Sequence, residues 1–198
     1  MRLPNSAHTS RPWRIHEIVP DFRVEDVWEL PTPGGPDDFH RLVTGFVCDD
    51  SVAGSSRLAD LLIKLRRKIG SLLGLDRPAK GVGGRAGTLR DRLPEDLRDA
   101  PTGPQSDGFP LTPVYLLRNE WAAELANRTV HAVMHLSWVS DGSGGYRGRM
   151  AILVKPNGPF GAAYMAAIRP FRHLIVYPAM LRGIGRMWAT GPEPSAGP

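Results

Sequence analysis

The segment at residues 158–188 constrains the fold more than any other stretch of the chain. At helical spacing its apolar side chains fall on one side, and four arginines fall on the other. The apolar set is Phe160, Tyr164, Ile168, Phe171, Ile175, Leu181 and Trp188, and the basic set is Arg169, Arg172, Arg182 and Arg186. Pro170 and Pro178 each remove an internal hydrogen bond, which predicts a break or kink near each. So wide an apolar stripe must pack against another layer.

The stretches before this closing segment predict an antiparallel sheet. Residues 129–139 (TVHAVMHLSWV) are rich in β-branched and aromatic side chains, and the short glycine-rich linker at 140–145 predicts a hairpin with a partner strand at 146–155. Residues 112–119 also predict a strand. Residues 120–125 (EWAAEL) have helical propensity but are short and uncapped, so we interpret them as a strand. A first strand at 22–30 places Val24, Asp26, Trp28 and Leu30 on one face and ends at the prolines of 31–36.

Two helices are predicted between the first strand and the others. One begins at Pro36 and has an apolar face that contains Phe39, Leu42, Val43 and Phe46. The other, at 56–74, has a leucine stripe that includes Leu61 and Leu65. Residues 76–87 are predicted to form a loop, and leucines at 89, 93 and 97 suggest two short helical turns. This order predicts an α+β helix-grip fold, in which a curved antiparallel sheet packs around a long, proline-kinked C-terminal helix and can hold an apolar ligand between the two layers.

Length and composition predict one domain at 13–190, flanked by disordered tails at 1–12 and 191–198. Cys48 is the single cysteine, so no intramolecular disulfide can form. The first residues lack the apolar run of a signal peptide, and no run approaches the roughly 18 apolar residues of a membrane span. We therefore expect a soluble cytoplasmic protein, and the sequence favours no particular oligomeric state.

Charge is unevenly distributed along the chain. The net charge is +5, and no acidic residue lies between Asp141 and Glu193, where seven Lys and Arg residues fall. This asymmetry favours an anionic partner: a carboxylate or phosphate ligand, or a membrane surface contacted peripherally. The alternative is a solvated helix face with outward strand positions. No recognised nucleic-acid-binding motif accompanies the charge, so no nucleic-acid partner is predicted.

Five stretches resemble a known family. They are VEDVWELPTPGGPDDF (24–39), TLRDRLPEDLRDAP (88–101), NRTVHAVMHLSWV (127–139), GGYRGRMAILVKPNG (144–158) and AYMAAIRPFRHLIVYPAMLR (163–182). They resemble the bacterial domain-of-unknown-function 2867 family, found particularly in actinobacteria, and RPFRHLIVYP is the most specific run. The resemblance implies a relationship to the START and polyketide-cyclase (SRPBCC) superfamily of helix-grip folds and a hydrophobic ligand cavity. It implies no activity.

His131 and His135 have the spacing of a metal-binding pair on a helix. On a strand they share a face but stand ~13 Å apart at about 3.3 Å per residue, too far for one ion. No metal site or cofactor is therefore predicted. The favoured interpretation is that both are partly buried and bonded to neighbouring strands or acidic side chains. The alternative is that they line a ligand cavity.

The remaining candidates complete a ligand-binding hypothesis. Arg149, Arg169 and His173 could hold an anionic group, Tyr164 could orient a ligand with its hydroxyl, and Trp138 joins them as an aromatic contact. No nucleophile motif appears around Ser137, Ser140 or Cys48. The sequence thus predicts binding of a small hydrophobic or amphipathic molecule. The alternative is a cyclase- or isomerase-type enzyme with a cavity histidine as general base.

Overall fold

A six-stranded antiparallel sheet organises the protein. The computed structural model describes residues 1–49, 87–107, 109–127 and 129–191. The strands are β1 (Arg2–Leu3), β2 (Arg23–Gly34), β3 (Thr112–Leu116), β4 (Glu120–Ala126), β5 (Val130–Ser140) and β6 (Tyr146–Pro156). Their spatial order is β1-β2-β6-β5-β4-β3. The α+β prediction is therefore confirmed, together with the hairpin, the strand at 120–125 and the closing helix.

The β5–β6 hairpin is the centre of the sheet. Its register runs without a break from Val130 opposite Pro156 to Ser140 opposite Tyr146. The connecting loop turns because Gly142 and Gly144 adopt positive φ angles, which glycine accepts without strain. The Asp141 carboxylate accepts hydrogen bonds from the backbone N–H groups of Ser143 and Gly145 and thereby closes the loop.

Helices and turns cover both faces of this sheet. They are α1 (Ser6–Thr9), α2 (Ile15–Ile18), α3 (Phe39–Cys48), two 3₁₀ turns at Leu89–Arg92 and Glu95–Leu97, α4 (Gly158–Phe171), a π-helical turn at Arg172–Val176, and α5 (Tyr177–Thr190). Because side chains alternate along a strand, β5 directs Leu136 and Trp138 to the face covered by α3 and α5, which we term the helix face. It directs Val133 and His135 to the other side, the N-terminal face, under α1, α2 and the 3₁₀ turns.

Each face has its own apolar core. On the helix face, α5 residues such as Ile184 and Trp188 pack against Phe39 and Trp138, and the Trp138 and Trp188 rings lie 5.8 Å apart. On the N-terminal face, Trp13 and other apolar side chains of the first 22 residues pack against the sheet with leucines from the 3₁₀ turns. The covered second face was not predicted from the sequence.

The first twelve residues are not the disordered tail predicted from their polar composition. Arg2–Leu3 pairs with β2, and the Asn5 side chain donates a hydrogen bond to the Val24 carbonyl. His8 in α1 is only 2% exposed. This segment is held by backbone pairing and polar contacts, neither of which leaves an apolar pattern in the sequence. The predicted C-terminal tail lies almost wholly outside the described residues.

Strand β2 is longer and less regular than predicted. It continues to Gly34 rather than ending at Pro31. The pairing with β6 is irregular between Glu29 and Pro33, and prolines are tolerated there because the regular ladder of hydrogen bonds is interrupted. A second register shift, between Val24 and Asp26, places Val24 opposite Leu153 and Asp26 opposite Ile152. Val24 therefore faces the N-terminal side and Asp26 the helix side, so the prediction that they share a face is wrong.

The closing segment is helical from Gly158 to Thr190, with one change of winding. Between Pro170 and Pro178 the helix takes a π-helical turn over Arg172–Val176. Proline lacks the N–H that would complete the regular helical ladder, which explains why the irregularity lies between the two prolines. Helix α3 begins at Phe39, three residues later than predicted. The predicted helix at 56–74, with Leu61 and Leu65, and almost all of the loop at 76–87 lie outside the described residues. Within the described part of the chain, no helix is long and apolar enough to cross a membrane.

Candidate functional site

The seven predicted site residues do not meet at one place. Trp138, Tyr164, Arg169 and His173 belong to the helix face or to the closing helix above it. His131, His135 and Arg149 lie on the N-terminal face. The sheet separates the two groups, so one ligand between sheet and closing helix cannot contact all seven. Trp138 is a buried core residue whose indole N–H donates to the Gly35 carbonyl.

Both strand histidines are paired with buried glutamates of β4. His131 Nε2 lies 2.7 Å from Glu124 Oε2, and His135 Nε2 lies 2.9 Å from Glu120 Oε2. Glu124 lies directly opposite Val133 and Glu120 directly opposite Ser137, so each histidine is two residues away from the position opposite its glutamate. Each histidine and its glutamate are therefore diagonal neighbours on adjacent strands. This confirms the interpretation of both histidines as partnered by acidic side chains. Within the described ranges no group of His, Cys, Asp and Glu has the arrangement of a metal site.

The Glu124 pair is fully satisfied by the protein. Glu124 Oε1 accepts hydrogen bonds from the Thr88 hydroxyl at 2.6 Å and the Leu89 backbone N–H at 3.0 Å. Burial pushes the pKa of Glu124 upward, but hydrogen bonds from His131, Thr88 and Leu89 outweigh it, so the pKa lies below its ordinary value. With every oxygen and the imidazole N–H engaged, this pair joins the first 3₁₀ turn to the sheet. Its role is structural.

The Glu120 pair extends into a longer chain of hydrogen bonds. Glu120 also accepts from the Tyr115 hydroxyl at 3.1 Å and the Arg14 backbone N–H at 3.2 Å. On the other side of the imidazole, His8 Nε2 lies 3.1 Å from His135 Nδ1. If His135 donates from Nε2 to the carboxylate, its Nδ1 must accept, so His8 donates from Nε2. His8 Nδ1 is then left as a buried acceptor.

Burial keeps these histidines neutral. Burial, together with smaller contributions from neighbouring His135 and His16, lowers the pKa of His8 to about 2. Burial also lowers the pKa of His135, although Glu120 acts in the opposite direction. Burial raises the pKa of Glu120, yet the hydrogen bonds from His135, Arg14 and Tyr115 prevail and its pKa lies below the ordinary value. The carboxylate is therefore the charged member of the chain.

Unpaired nitrogen atoms surround His8. We define the N-terminal cluster as His8, Trp13, His16, His135 and Arg149. Ring centroids of His8 lie 4.8 Å from those of His16 and 5.0 Å from those of His135, and the Trp13 ring lies 5.5 Å from His135. Among the described residues, four buried nitrogens of this cluster have no hydrogen-bond partner: His8 Nδ1, Trp13 Nε1, His16 Nε2 and Arg149 Nε.

Arg149 is the charged member of the N-terminal cluster. Its Nη1 donates to the Ala7 carbonyl at 3.3 Å, next to His8 in the chain. No carboxylate in the described part of the protein forms an ion pair with it. Burial lowers the pKa of Arg149, the positive charge of Arg11 lowers it further, and Glu29 only partly compensates. The positive potential at this point is therefore not neutralised locally.

A second polar cluster lies where the closing helix meets β2. Asp26 is 1% exposed. Its carboxylate lies 2.7 Å from His173 Nε2, accepts from the Tyr177 hydroxyl at 2.8 Å, and pairs with Arg172 at 3.2 Å. The side chain of His173 is 19% exposed, so its ring borders solvent while its partner is buried. Asp26 is buried here because the register shift in β2 turns it under the π-helical turn.

Sequence reasoning missed His8, Trp13 and His16, and it assigned Asp26 no partner. The two histidines and the tryptophan fall within nine consecutive residues of a segment otherwise poor in apolar side chains. This grouping of aromatic and imidazole side chains is the sequence feature that could have indicated an ordered segment rather than a tail. The pairing of Asp26 with His173 joins residues 147 positions apart and leaves no local pattern.

Fold and clusters together define the class: an α+β protein whose antiparallel sheet is covered on both faces and carries buried histidine–carboxylate pairs. The chain belongs to the family described as Protein of unknown function (DUF2867), whose family model matches residues 18–179. Neither the curated proteins nor the solved structures contain a significant match to it.

Proposed function

We propose that the protein binds a small amphipathic molecule with an anionic group at the N-terminal cluster. The main support for this proposal is that the cluster contains several buried nitrogen atoms without a hydrogen-bond partner among the described residues. Of nine buried side-chain nitrogen or oxygen atoms without a partner in the described residues, four belong to His8, Trp13, His16 and Arg149. A buried polar atom without a partner costs about 1–3 kcal/mol, so four in one place favour a ligand that satisfies them.

The chemistry of these atoms selects the ligand class. Arg149 Nε and Trp13 Nε1 are obligate donors, which require an acceptor such as a carboxylate or phosphate oxygen. Arg149 and Arg11 repel each other and lack carboxylate partners in the described chain, so an anion also relieves that repulsion. His8 Nδ1 is an acceptor in the tautomer fixed by His135, and a hydroxyl beside the anionic group would satisfy it.

Apolar side chains adjoin the polar atoms. Ile15, Phe22 and Val133 belong to the same core as Trp13 and are almost wholly buried. A ligand tail that inserts among these side chains would leave water, which gains about 25 cal/mol per Å² of apolar surface. This supports an amphipathic molecule rather than a bare anion.

The proposed site lies on the opposite face of the sheet from the one expected of a helix-grip protein. A helix-grip relationship remains part of the proposal, supported by the long closing helix on an antiparallel sheet. On the helix face, however, the space around Trp138 contains packed side chains of α3 and α5. Arg149 and the two histidines with unpaired buried nitrogens, His8 and His16, lie on the N-terminal face instead.

Competition between octanoate, methyl octanoate and 2-hydroxyoctanoate for a displaceable fluorescent fatty-acid probe tests the proposal. We expect octanoate to outcompete its ester, added salt to narrow the difference, and the 2-hydroxy acid to bind tighter than octanoate. Arg149→Gln should abolish the preference for acid over ester. Arg147→Gln is the matched control, because Arg147 lies on the same strand but already pairs with Glu29. Equal competition by acid and ester would contradict the anionic site, and no probe binding would contradict ligand binding altogether.

The second candidate function is proton transfer by His173, as in a cyclase or isomerase. The observation in its favour is the short contact between the partly exposed imidazole of His173 and the buried Asp26 carboxylate, which orients the ring. Incubation of host metabolite extract with the wild type and with His173→Gln, followed by mass spectrometry, tests it. A metabolite consumed only by the wild type would support catalysis, and identical extracts would contradict it.

A further inference from the structure

The outward side of the closing helix is apolar and basic at once. Leu174 and Ile175, on the π-helical turn, are 77% and 44% exposed and are large hydrophobic side chains with no cover from the described residues. On α4, which precedes this turn in the chain, the exposed side chains from Ala162 on are mostly small, with one arginine: Ala162, Ala163, Ala166, Ala167, Arg169 and Pro170. No acidic residue occurs from the start of α4 to the end of α5.

The helix arginines divide into two groups. Arg172 points inward and pairs with Asp26 and Glu25. Arg169, Arg182 and Arg186 are exposed and form no ion pair within the described part of the chain. Arg182 and Arg186 lie one turn apart, and Ile175 lies two turns before Arg182, so these three side chains share one side of the helix. The result is an aliphatic pair with unneutralised positive charge beside it.

The π-helical turn explains why two aliphatic residues point to solvent. Arg172, Val176 and Tyr177 remain buried against the sheet, and the wider winding between them leaves Leu174 and Ile175 on the outer side. A regular protein surface rarely places a leucine at such exposure beside a second aliphatic residue on a rigid helix. A surface of this kind suits shallow insertion into an apolar layer beneath an anionic boundary.

We propose that this side of the closing helix, which we term the outer helix face, docks on an anionic lipid bilayer. Leu174 and Ile175 would enter the interface between headgroups and acyl chains, and Arg169, Arg182 and Arg186 would contact lipid phosphates. The face lies on the opposite side of the sheet from the N-terminal cluster, so it is independent of the proposed ligand site.

Charge disfavours two other partners for the outer helix face: a second copy of the protein and residues 50–86 of the same chain. A two-fold dimer through this face would bring each patch against its own copy and place arginine near arginine. Residues 50–86 of the same chain contain eight Lys and Arg against three Asp, a net charge of +5, so they have the same sign as the face. An anionic bilayer offers both the opposite charge and an apolar layer for the aliphatic pair.

Vesicle co-sedimentation of the full chain tests the proposal. Phosphatidylcholine vesicles are compared with vesicles in which phosphatidylglycerol replaces one-third of the lipid. We expect binding to the anionic vesicles only, reduced roughly fivefold for each arginine removed, or about 25-fold for Arg182→Gln with Arg186→Gln. Leu174→Ser with Ile175→Ser should reduce binding at least about tenfold. Both pairs of substitutions lie at exposed positions, and circular dichroism confirms that the variants are folded.

The matched control is Arg23→Gln with Arg118→Gln, which removes the same charge from exposed positions outside the helix. This control should keep most of the binding. Equal loss in control and helix variants would show a response to net charge alone and overturn the proposal. Equal binding to both vesicle types, or to neither, would also overturn it. Light scattering that reveals a dimer disrupted by the Leu174 and Ile175 substitutions would assign the face to self-association instead.

Discussion

Removal of the buried, neutral imidazole of His8 should flatten the dependence of stability on pH. The folded protein lowers the pKa of His8 from 6.5 to about 2, so the unfolded chain binds this proton more readily than the folded one. The contribution of neutral His8 to the free energy of unfolding is therefore present above about pH 6.5 and is lost as the pH decreases below that value. The slope is about 1.36 kcal/mol per pH unit for one such group, which gives a loss of ~2 kcal/mol by about pH 5. That figure changes little for any folded pKa well below 5.

Urea unfolding of wild type and His8→Gln at several pH values measures this loss. Glutamine cannot titrate but can still donate a hydrogen bond to His135 Nδ1. We expect the wild type to lose ~2 kcal/mol more than His8→Gln between about pH 7.5 and pH 5. His40→Gln is the control, because His40 is exposed on α3 and should leave the slope unchanged. Parallel pH profiles for wild type and His8→Gln would refute the claim that His8 is buried and neutral.

Three further predictions concern the free energy of unfolding in urea near neutral pH. Gly161→Ala should destabilise the protein by ~1–3 kcal/mol, because an added Cβ would overlap the backbone carbonyl of Thr129. Gly35→Ala is the control: it has room for a methyl group and should stay within about 0.5 kcal/mol of wild type. Asp26→Asn should cost ~3–5 kcal/mol, since it removes a buried carboxylate that contacts three polar side chains of the closing helix. Glu120→Gln should cost ~1–3 kcal/mol, because an amide cannot accept every hydrogen bond that the carboxylate receives. A change within about 0.5 kcal/mol for either acidic residue would contradict its network.

The sheet was predictable because its signals are local. β-branched and aromatic residues identify β5, and a glycine-rich loop identifies its hairpin with β6. Glu120–Ala126 forms a strand despite helical propensity, since both sheet faces are covered and even its glutamates find buried partners on β5.

The candidate site was less predictable because long-range polar contacts form it. Alternation along β5 already separates His131 and His135 from Trp138, so the division of the predicted site between two faces was available from the sequence. The association of His8 with His135, 127 residues away, was not. Nor was the register shift that turns Asp26 toward His173, because a β-bulge leaves no pattern in a single sequence.

The location of the bound anion is the most direct test of the account. Nuclear magnetic resonance of ¹⁵N-labelled imidazole groups, recorded during titration with 2-hydroxyoctanoate, reports every histidine separately. We predict saturable shifts at His8 and His16, smaller shifts at His135, and none at His131 or His173. Loss of these shifts in Arg149→Gln, with their retention in Arg147→Gln, would assign them to the N-terminal cluster. Saturable shifts confined to His173 would contradict the account and place the ligand beneath the closing helix.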